Sequence, residues 1–371
     1  MVRVLVVEDS LTVRRHLCEL LAGAADIELV GEAGDGKRAI ELCRELRPDV
    51  VTMDMIMPEM SGLAATEQIM AFCPTPILIV SSSTNRGELF QTYQALSAGA
   101  VDVLEKPRGD DSDGAWAQRF LAALRLVSKI RVITHPRGRL TPAGRAMAES
   151  RAMAEGRAIA ESRVPPSPPP VAVAPSRHQR LVAIGVSTGG PGALTTLLSA
   201  LPADFALPIL LVLHIGRPFG ASIADWLDGQ SRLRVATAVH GEPLANAAGR
   251  VVIAPPDRHL TIRDGRICLS DESPRHSCRP SVDVLFESVA KEAGPGAIAC
   301  LLTGMGRDGA AGLLAIRKAG GQTIAQDEAT SVVYGMPREA VLLGAAERVL
   351  PLGEIGHAIA TLAATSRGVG R

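Results

Sequence analysis

The chain has 371 residues, long enough for two domains that each bury a core. Lys+Arg and Asp+Glu stand at 39 each, for a net charge of zero, and aromatics make up only 3%. That balance argues against a protein built to coat nucleic acid or an anionic membrane, and the scarcity of aromatics argues against base-stacking surfaces.

The first 130 residues alternate short β-type runs with helix-type segments. The strand candidates are "VRVLVVED", "DIELVGEA", "DVVTMDM", "TPILIVSS" and "AVDVLEKP". In "LTVRRHLCELLAG" the residues Val13, Leu17, Leu20 and Leu21 recur at helical spacing, with Gly23 as a stop. "AWAQRFLAALRLVSKI" is the last helix of the series. Five β/α alternations with nearly all-apolar strands imply a parallel sheet covered on both faces.

From 131 to 180 the pattern breaks. "RAMAES RAMAEG RAIAES" repeats every six residues, a rotation of about 240° on a helix, so Met147, Met153 and Ile159 fall on three different faces. No apolar stripe results, which disfavours a coiled coil. "VPPSPPPVAVAP" then reads as extended polyproline-like chain. The segment is expected to be a solvated linker.

From Leu181 to about residue 368 the alternation resumes. "LVAIGVS", "PILLVLH", "RVVIAPP", "AIACLLTG" and "GQTIAQ" are strand-like, and "SVDVLFESVAKEA" and "GAAGLLAIRKAG" are helix-like. A second, doubly wound Rossmann-like α/β domain is predicted. The six cysteines are scattered without CxxC, as expected of reduced thiols. The N-terminal apolar run is too short for a signal peptide, and no run is long enough to span a bilayer. A cytoplasmic protein is expected.

Chemistry gathers at strand ends. In the first half Glu8 and Asp9 follow the first strand, Asp54 the third, Ser81 ends the fourth and Lys106 follows the fifth. Ligands of doubly wound sheets collect beyond the carboxyl ends of the strands. Clustered carboxylates repel unless a cation intervenes, and oxygen donors suit Mg²⁺.

The motifs "VEDS", "DVVTMDMIMPEMSG", "VSS" and "EKP" resemble the response-regulator receiver family, with its flavodoxin-like five-stranded sheet. The resemblance implies phosphorylation of Asp54. It also implies Mg²⁺ binding by Asp9, Asp54 and the Ile56 carbonyl, with Glu8 beside them where an Asp is more usual. Ser81 and Lys106 are then the groups that sense and pair with the phosphoryl group, and a histidine kinase is the phosphodonor.

In the second half, "GVSTGGPGAL" lacks the Lys-Ser/Thr of a P-loop and fails GxGxxG at its third position. It does hold a GxSxG with Ser187 at the end of an apolar run. Small residues there can equally serve a tight turn. His214 ends "PILLVLH" and Asp308 lies beyond "AIACLLTG"; His240 follows a weaker run, and His259 and His276 are expected in polar loops. Ser, His and Asp beyond three strands have the topology of a hydrolytic triad. Their order differs from the α/β-hydrolases, where the acid precedes the histidine.

"GVSTGGPGAL", "LHI", "VVIAPPDRHL", "RPSVDVLF", "LLTGMGRDGAAG" and "SVVYGMPREA" resemble the chemotaxis protein-glutamate methylesterase family. The family usually has "QHM" before a Pro where this chain has "LHIG". The resemblance implies Ser187 as nucleophile, His214 as general base, Asp308 as its orienting acid and the Met305 N–H as oxyanion donor. It implies hydrolysis of receptor glutamyl methyl esters, with glutamine deamidation as a second activity and no cofactor in this domain. A monomer is expected, with no nucleic acid partner and no membrane insertion. The receiver is expected to cover the catalytic cleft until Asp54 is phosphorylated, and the long linker to weaken that docking. An adaptor with a non-catalytic second domain is the alternative class. A DNA-binding regulator is disfavoured for want of a compact helix-turn-helix.

Overall fold

The structure is a computed structural model, described here for residues 1–82, 85–107, 114–130, 132 and 180–365. The hexad repeat and proline-rich stretch lie outside these residues.

Residues 1–130 build β1 (Val2–Val7), α1 (Leu11–Ala22), β2 (Ile27–Ala33), α2 (Gly36–Leu46), β3 (Val50–Met53), α3 (Gly62–Phe72), β4 (Ile77–Ser81), α4 (Arg86–Ser97), β5 (Asp102–Glu105) and α5 (Ala115–Val127). The sheet is parallel in the order β2-β1-β3-β4-β5, the flavodoxin-like arrangement expected. β3 and β4 are buried throughout, because helices cover both faces. Caps start the helices where polar residues precede apolar ones: the side chains of Ser10, Asp35, Ser61 and Asn85 accept from backbone N–H groups three residues on.

The second unit holds β6 (Leu181–Val186), α6 (Gly190–Ser199), β7 (Ile209–Leu213), α7 (Arg217–Gly220), α8 (Ile223–Gln230), β8 (Arg234–Thr237), β9 (Arg250–Ile253), β10 (His259–Arg263), β11 (Arg266–Ser270), α9 (Val282–Ala293), β12 (Ala297–Leu301), α10 (Ala310–Lys318), β13 (Gln322–Gln326), α11 (Met336–Leu342), β14 (Arg348–Leu350) and α12 (Leu352–Thr365). Seven strands form a parallel sheet ordered β14-β13-β12-β6-β7-β9-β8, and β10 and β11 form a separate antiparallel hairpin. This is the predicted doubly wound sheet. The hairpin and the short edge strand β14 were not anticipated. His259 was expected in a polar loop; it opens β10 and is fully buried. No helix among the described residues is long and apolar enough to cross a membrane.

Connections leave β6 toward β7 on one side, while β12 returns to its other side. A reversal of this kind opens a crevice beyond the strand ends. Both units meet there. Leu89 and Tyr93 of α4 belong to the same buried cluster as Leu194, Leu197, Phe219 and Trp226. The Tyr93 hydroxyl donates to the Phe219 carbonyl, and its ring lies 5.5 Å from that of Trp226. A Cβ at Gly192 on α6 would stand 3.3 Å from the Ser97 backbone, so glycine lets the helices approach closely.

Candidate active site

The parallel register aligns Val186 with Leu213 and Gly185 with Leu301. The residues one step beyond the strands are therefore neighbours. Ser187 donates its N–H to Thr303 O (3.0 Å), and His214 donates its own to Val186 O (3.0 Å). Ser187 and His214 line one cavity of about 390 Å³ together with Thr188, Gly189, Cys278 and Arg279. Gly189, at φ 77°, makes the left-handed step between Ser187 and α6, a conformation costly for any side-chain-bearing residue. A Cβ at Gly185 would stand 2.2 Å from Val282 Cγ1, so glycine is what lets α9 press against β6.

His214 Nε2 lies 2.9 Å from Asp308 Oδ2. Asp308 is buried and fastened from the other side by the start of α9. Ser281 Oγ donates to Oδ1 (2.7 Å), Val282 N to Oδ2 (2.7 Å) and Asp283 N to Oδ1 (3.1 Å). The first N–H groups of a helix have no partner within it, and the helix dipole favours an anion there. Burial alone would raise the Asp308 carboxyl; the bond and charge of His214, then Ser281 and Val282, outweigh it and hold the group below its usual range. On His214 burial works to lower the imidazole, but the hydrogen bonds with Asp308 and Cys278 and their charges prevail, raising it from 6.5 to about 9.

With Nε2 given to Asp308, Nδ1 is the nitrogen left for proton transfer. It faces Cys278 Sγ at 3.8 Å. Ser187 Oγ makes no hydrogen bond among the described residues, so the structure brings the serine into the same cavity as the His–Asp pair without joining them. The Met305 N–H has no acceptor among the described residues either, and its strand-end neighbour Gly304 is close enough that a Cβ there would stand 2.6 Å from Ser187 Cβ.

Ser281, Val282 and Asp283 were missed as site residues; the signal was a serine cap directly before an apolar helical period in "SVDVLF". His259 supports them: its Nδ1 accepts from Ser281 N (3.1 Å), and Nε2 lies 3.2 Å from Ser273 O, to which it donates. His240 accepts from Leu269 N, and His276 Nε2 lies 3.1 Å from Asp283 Oδ2, so neither occupies the base position.

In the first unit, Glu8, Asp9 and Asp54 offer ligand oxygens within 4.8 Å of one another, Glu8 and Asp54 being buried. Lys106 Nζ reaches Glu8 Oε2 and Asp54 Oδ1, each at 3.0 Å. Burial, then the Asp54 charge, raises Glu8 to about 7 against the opposing pull of Lys106, and burial raises Asp54 as well. Glu8 Oε2 is sealed from solvent yet receives no well-directed hydrogen bond. Such a carboxylate set fits a divalent cation. Ile56 lies in the loop after Asp54 and is exposed. Ser81 is buried and donates to Glu88 Oε1 of α4 (2.7 Å) rather than to Asp54.

The receiver side also walls this cavity: Leu96, Val101, Asp102 and Val103 line it together with Ser187 and His214.

Comparison with known proteins agrees with this architecture. The CheB methylesterase family matches residues 182–359, and the response regulator receiver domain matches residues 4–112. A protein-glutamate methylesterase/protein-glutamine glutaminase of Anaeromyxobacter dehalogenans is 44% identical over 97% of both chains. One of Pseudomonas aeruginosa is 41% identical over 100% of this chain and 99% of its own. The crystal structure of the Thermotoga maritima CheB methylesterase catalytic domain is 37% identical, with a TM-score of 0.47 over 49% of this chain and 98% of its own. The chain belongs to the protein-glutamate methylesterase/protein-glutamine glutaminase family.

Proposed function

We propose that this protein is a phosphorylation-activated hydrolase that removes methyl esters from glutamate side chains of chemoreceptor cytoplasmic helices and deamidates receptor glutamines. The observation that carries the reading is the His214–Asp308 bond of 2.9 Å beside Ser187 in one cavity at the strand switch point. His214 Nδ1 takes the proton of Ser187 as Oγ attacks the ester carbonyl. The N–H of Met305, with those of Thr188 and Gly189, would stabilise the developing oxyanion; one such donor contributes about 3 kcal/mol. His214 returns its proton to the departing methoxide, and water then resolves the acyl-enzyme by the same route. Attack on a glutamine amide uses the same groups with ammonia as the leaving group.

Regulation follows from the cavity walls. Leu96, Val101 and Val103 line the same cavity as Ser187, where they would obstruct the approach of a receptor helix. Phosphorylation of Asp54 by a histidine kinase would shift the population toward an open arrangement. Glu8, Asp9 and Asp54, with the Ile56 carbonyl, would hold Mg²⁺, which neutralises charge on the incoming phosphoryl group when bound. Lys106 is placed to pair with that group, 3.0 Å from Asp54. Ser81 would leave Glu88 to reach it.

The test is methanol release from methylated receptor membranes, with and without a small phosphodonor. The native chain should be stimulated, Ser187→Ala inactive, and Asp54→Asn active but unresponsive. Unchanged release from Ser187→Ala would remove the triad, and a stimulated Asp54→Asn would remove the switch.

A further inference from the structure

His214 Nδ1 and Cys278 Sγ face each other at 3.8 Å. A tetrahedral zinc-type ion with bonds of about 2.05 Å to nitrogen and about 2.3 Å to sulfur separates those two donors by roughly 3.6 Å. The pair is thus already spaced as two ligands of one cation. Behind the ring, Nε2 gives its proton to Asp308 at 2.9 Å. Metal-binding histidines characteristically donate their second N–H to a carboxylate, which fixes the tautomer and turns the lone pair toward the metal. Here Asp308 supplies that carboxylate, itself held by Ser281, Val282 and Asp283.

One ring nitrogen of His214, Cys278 Sγ and an Asp308 oxygen also lie within 4.8 Å of one another. Asp308 already accepts four bonds, and it touches the far nitrogen of the ring, so it stands behind the ligand rather than beside it. Ser187 lines the same cavity, and at about 390 Å³ the space also admits water. Water can fill the remaining positions of a four-coordinate ion.

We propose that His214 Nδ1 and Cys278 Sγ form an inhibitory site for a thiophilic divalent cation of the zinc class. Binding releases to solvent the Cys278 proton, and the Nδ1 proton where His214 carries one, as the metal–sulfur and metal–nitrogen bonds form. The lone pair needed to accept the Ser187 proton is then occupied, so cation binding and hydrolysis exclude each other. Soft sulfur and imidazole donors favour zinc over Mg²⁺. The oxygen-only cluster of Glu8, Asp9 and Asp54 has the opposite preference. The two cations would therefore act on the two halves separately, Mg²⁺ with phosphorylation and zinc as a brake. The effect on turnover rests on His214 being the base; the coordination does not.

The experiment uses the full chain with Co²⁺ as a spectroscopic probe and Zn²⁺ as competitor, at constant Mg²⁺. Cobalt should produce a thiolate charge-transfer absorption that Zn²⁺ abolishes and that is absent from Cys278→Ser and Cys278→Ala. Asp308→Asn should weaken cobalt binding by about 10- to 100-fold through loss of the carboxylate behind the ring. Half-inhibition of methanol release, relative to each variant's own rate without zinc, should need at least about tenfold more Zn²⁺ in both Cys278 variants. An absorption that persists in both variants places the cation on other thiols and overturns the site. Equal zinc sensitivity of native and variant chains overturns the inhibition. Ser187→Ala keeps both donors, so its cobalt spectrum should match the native one even though it releases no methanol. The spectrum and the triad therefore fail independently.

Discussion

Tyr93→Ala should switch the protein on without phosphorylation. Tyr93 is fully buried, and much of what surrounds it belongs to the opposite unit: its ring lies 5.5 Å from that of Trp226, and its hydroxyl donates to Phe219 O. An aromatic side chain buries about 150–250 Å², worth roughly 4–6 kcal/mol at about 25 cal/mol per Å². Part of that burial is against its own helix neighbour Phe90, 6.2 Å away, and survives opening. The closed arrangement should therefore lose on the order of 2–3 kcal/mol, moving the closed-to-open ratio by about 30- to 150-fold. The exposed Arg86–Asp225 pair at 2.9 Å adds little to hold the units together. The assay is initial methanol release by the unphosphorylated chain, beside the phosphodonor-treated native chain as ceiling. Tyr93→Ala should approach that ceiling and gain little more from phosphodonor. Tyr93→Phe loses only the hydroxyl contact, about 1 kcal/mol, and should rise roughly fivefold. If Tyr93→Ala folds, responds normally to phosphodonor and shows the native unphosphorylated rate, the α4 contact is not inhibitory.

Two further outcomes test the catalytic half. A general base must be neutral, so in the proposed mechanism, with His214 raised to about 9, kcat/KM should climb with pH and level off above that value. In Asp308→Asn the midpoint should move to lower pH while the plateau falls. The sign also fixes stability: a folded pKa above the unfolded 6.5 stabilises fully below pH 6.5, and the contribution is lost as pH rises through about 9. Melting temperatures of the native chain should decline over that window more than those of Asp308→Asn; parallel declines, or an unmoved kinetic midpoint, would refute the coupling. Ser281→Ala removes both the α9 cap and a donor to a buried carboxylate, for about 2–3 kcal/mol of stability and a roughly tenfold lower kcat; urea unfolding and methanol release read the two effects.

What was legible in the chain follows from where each signal is local. β3 and β4 of the first sheet are almost wholly apolar and β6, β7 and β12 of the second are uninterrupted apolar runs, the pattern that burial on two faces demands. Strand-end placement then brought His214 and Asp308 together although they are 94 residues apart. The β10–β11 hairpin had its signal in "HLTIRDGRICLS": Asp264–Gly265, both at positive φ, between alternating residues. His259 was hidden because its partners, Ser281 and Ser273, lie 22 and 14 residues away. Leu89 and Tyr93 are residues of α4 that enter the core of the second unit. Nothing in their spacing says that the core they enter belongs to the other half of the chain.

That misdirection bears on how the two halves communicate. Glu88 stands one turn before Thr92 and Tyr93 on α4, and it gathers the hydroxyls of Ser81 and Ser82 and the Ser82 N–H. The same short helix therefore carries two opposed commitments. One end is tied by Glu88 to β4, beside the residue expected to sense a phosphoryl group on Asp54. The middle is tied by Tyr93 to Phe219 and Trp226, and its last turn brings Leu96 to the catalytic cavity. Drawing Ser81 toward Asp54 would break the Glu88 bond at the start of α4. Packed helices shift as rigid bodies rather than deforming, so a displacement there reaches Tyr93 and Leu96 together. On this geometry a phosphoryl group would need no contact with the second unit: loosening one helix would release both the apolar anchor and a wall of the cavity that Ser187 lines.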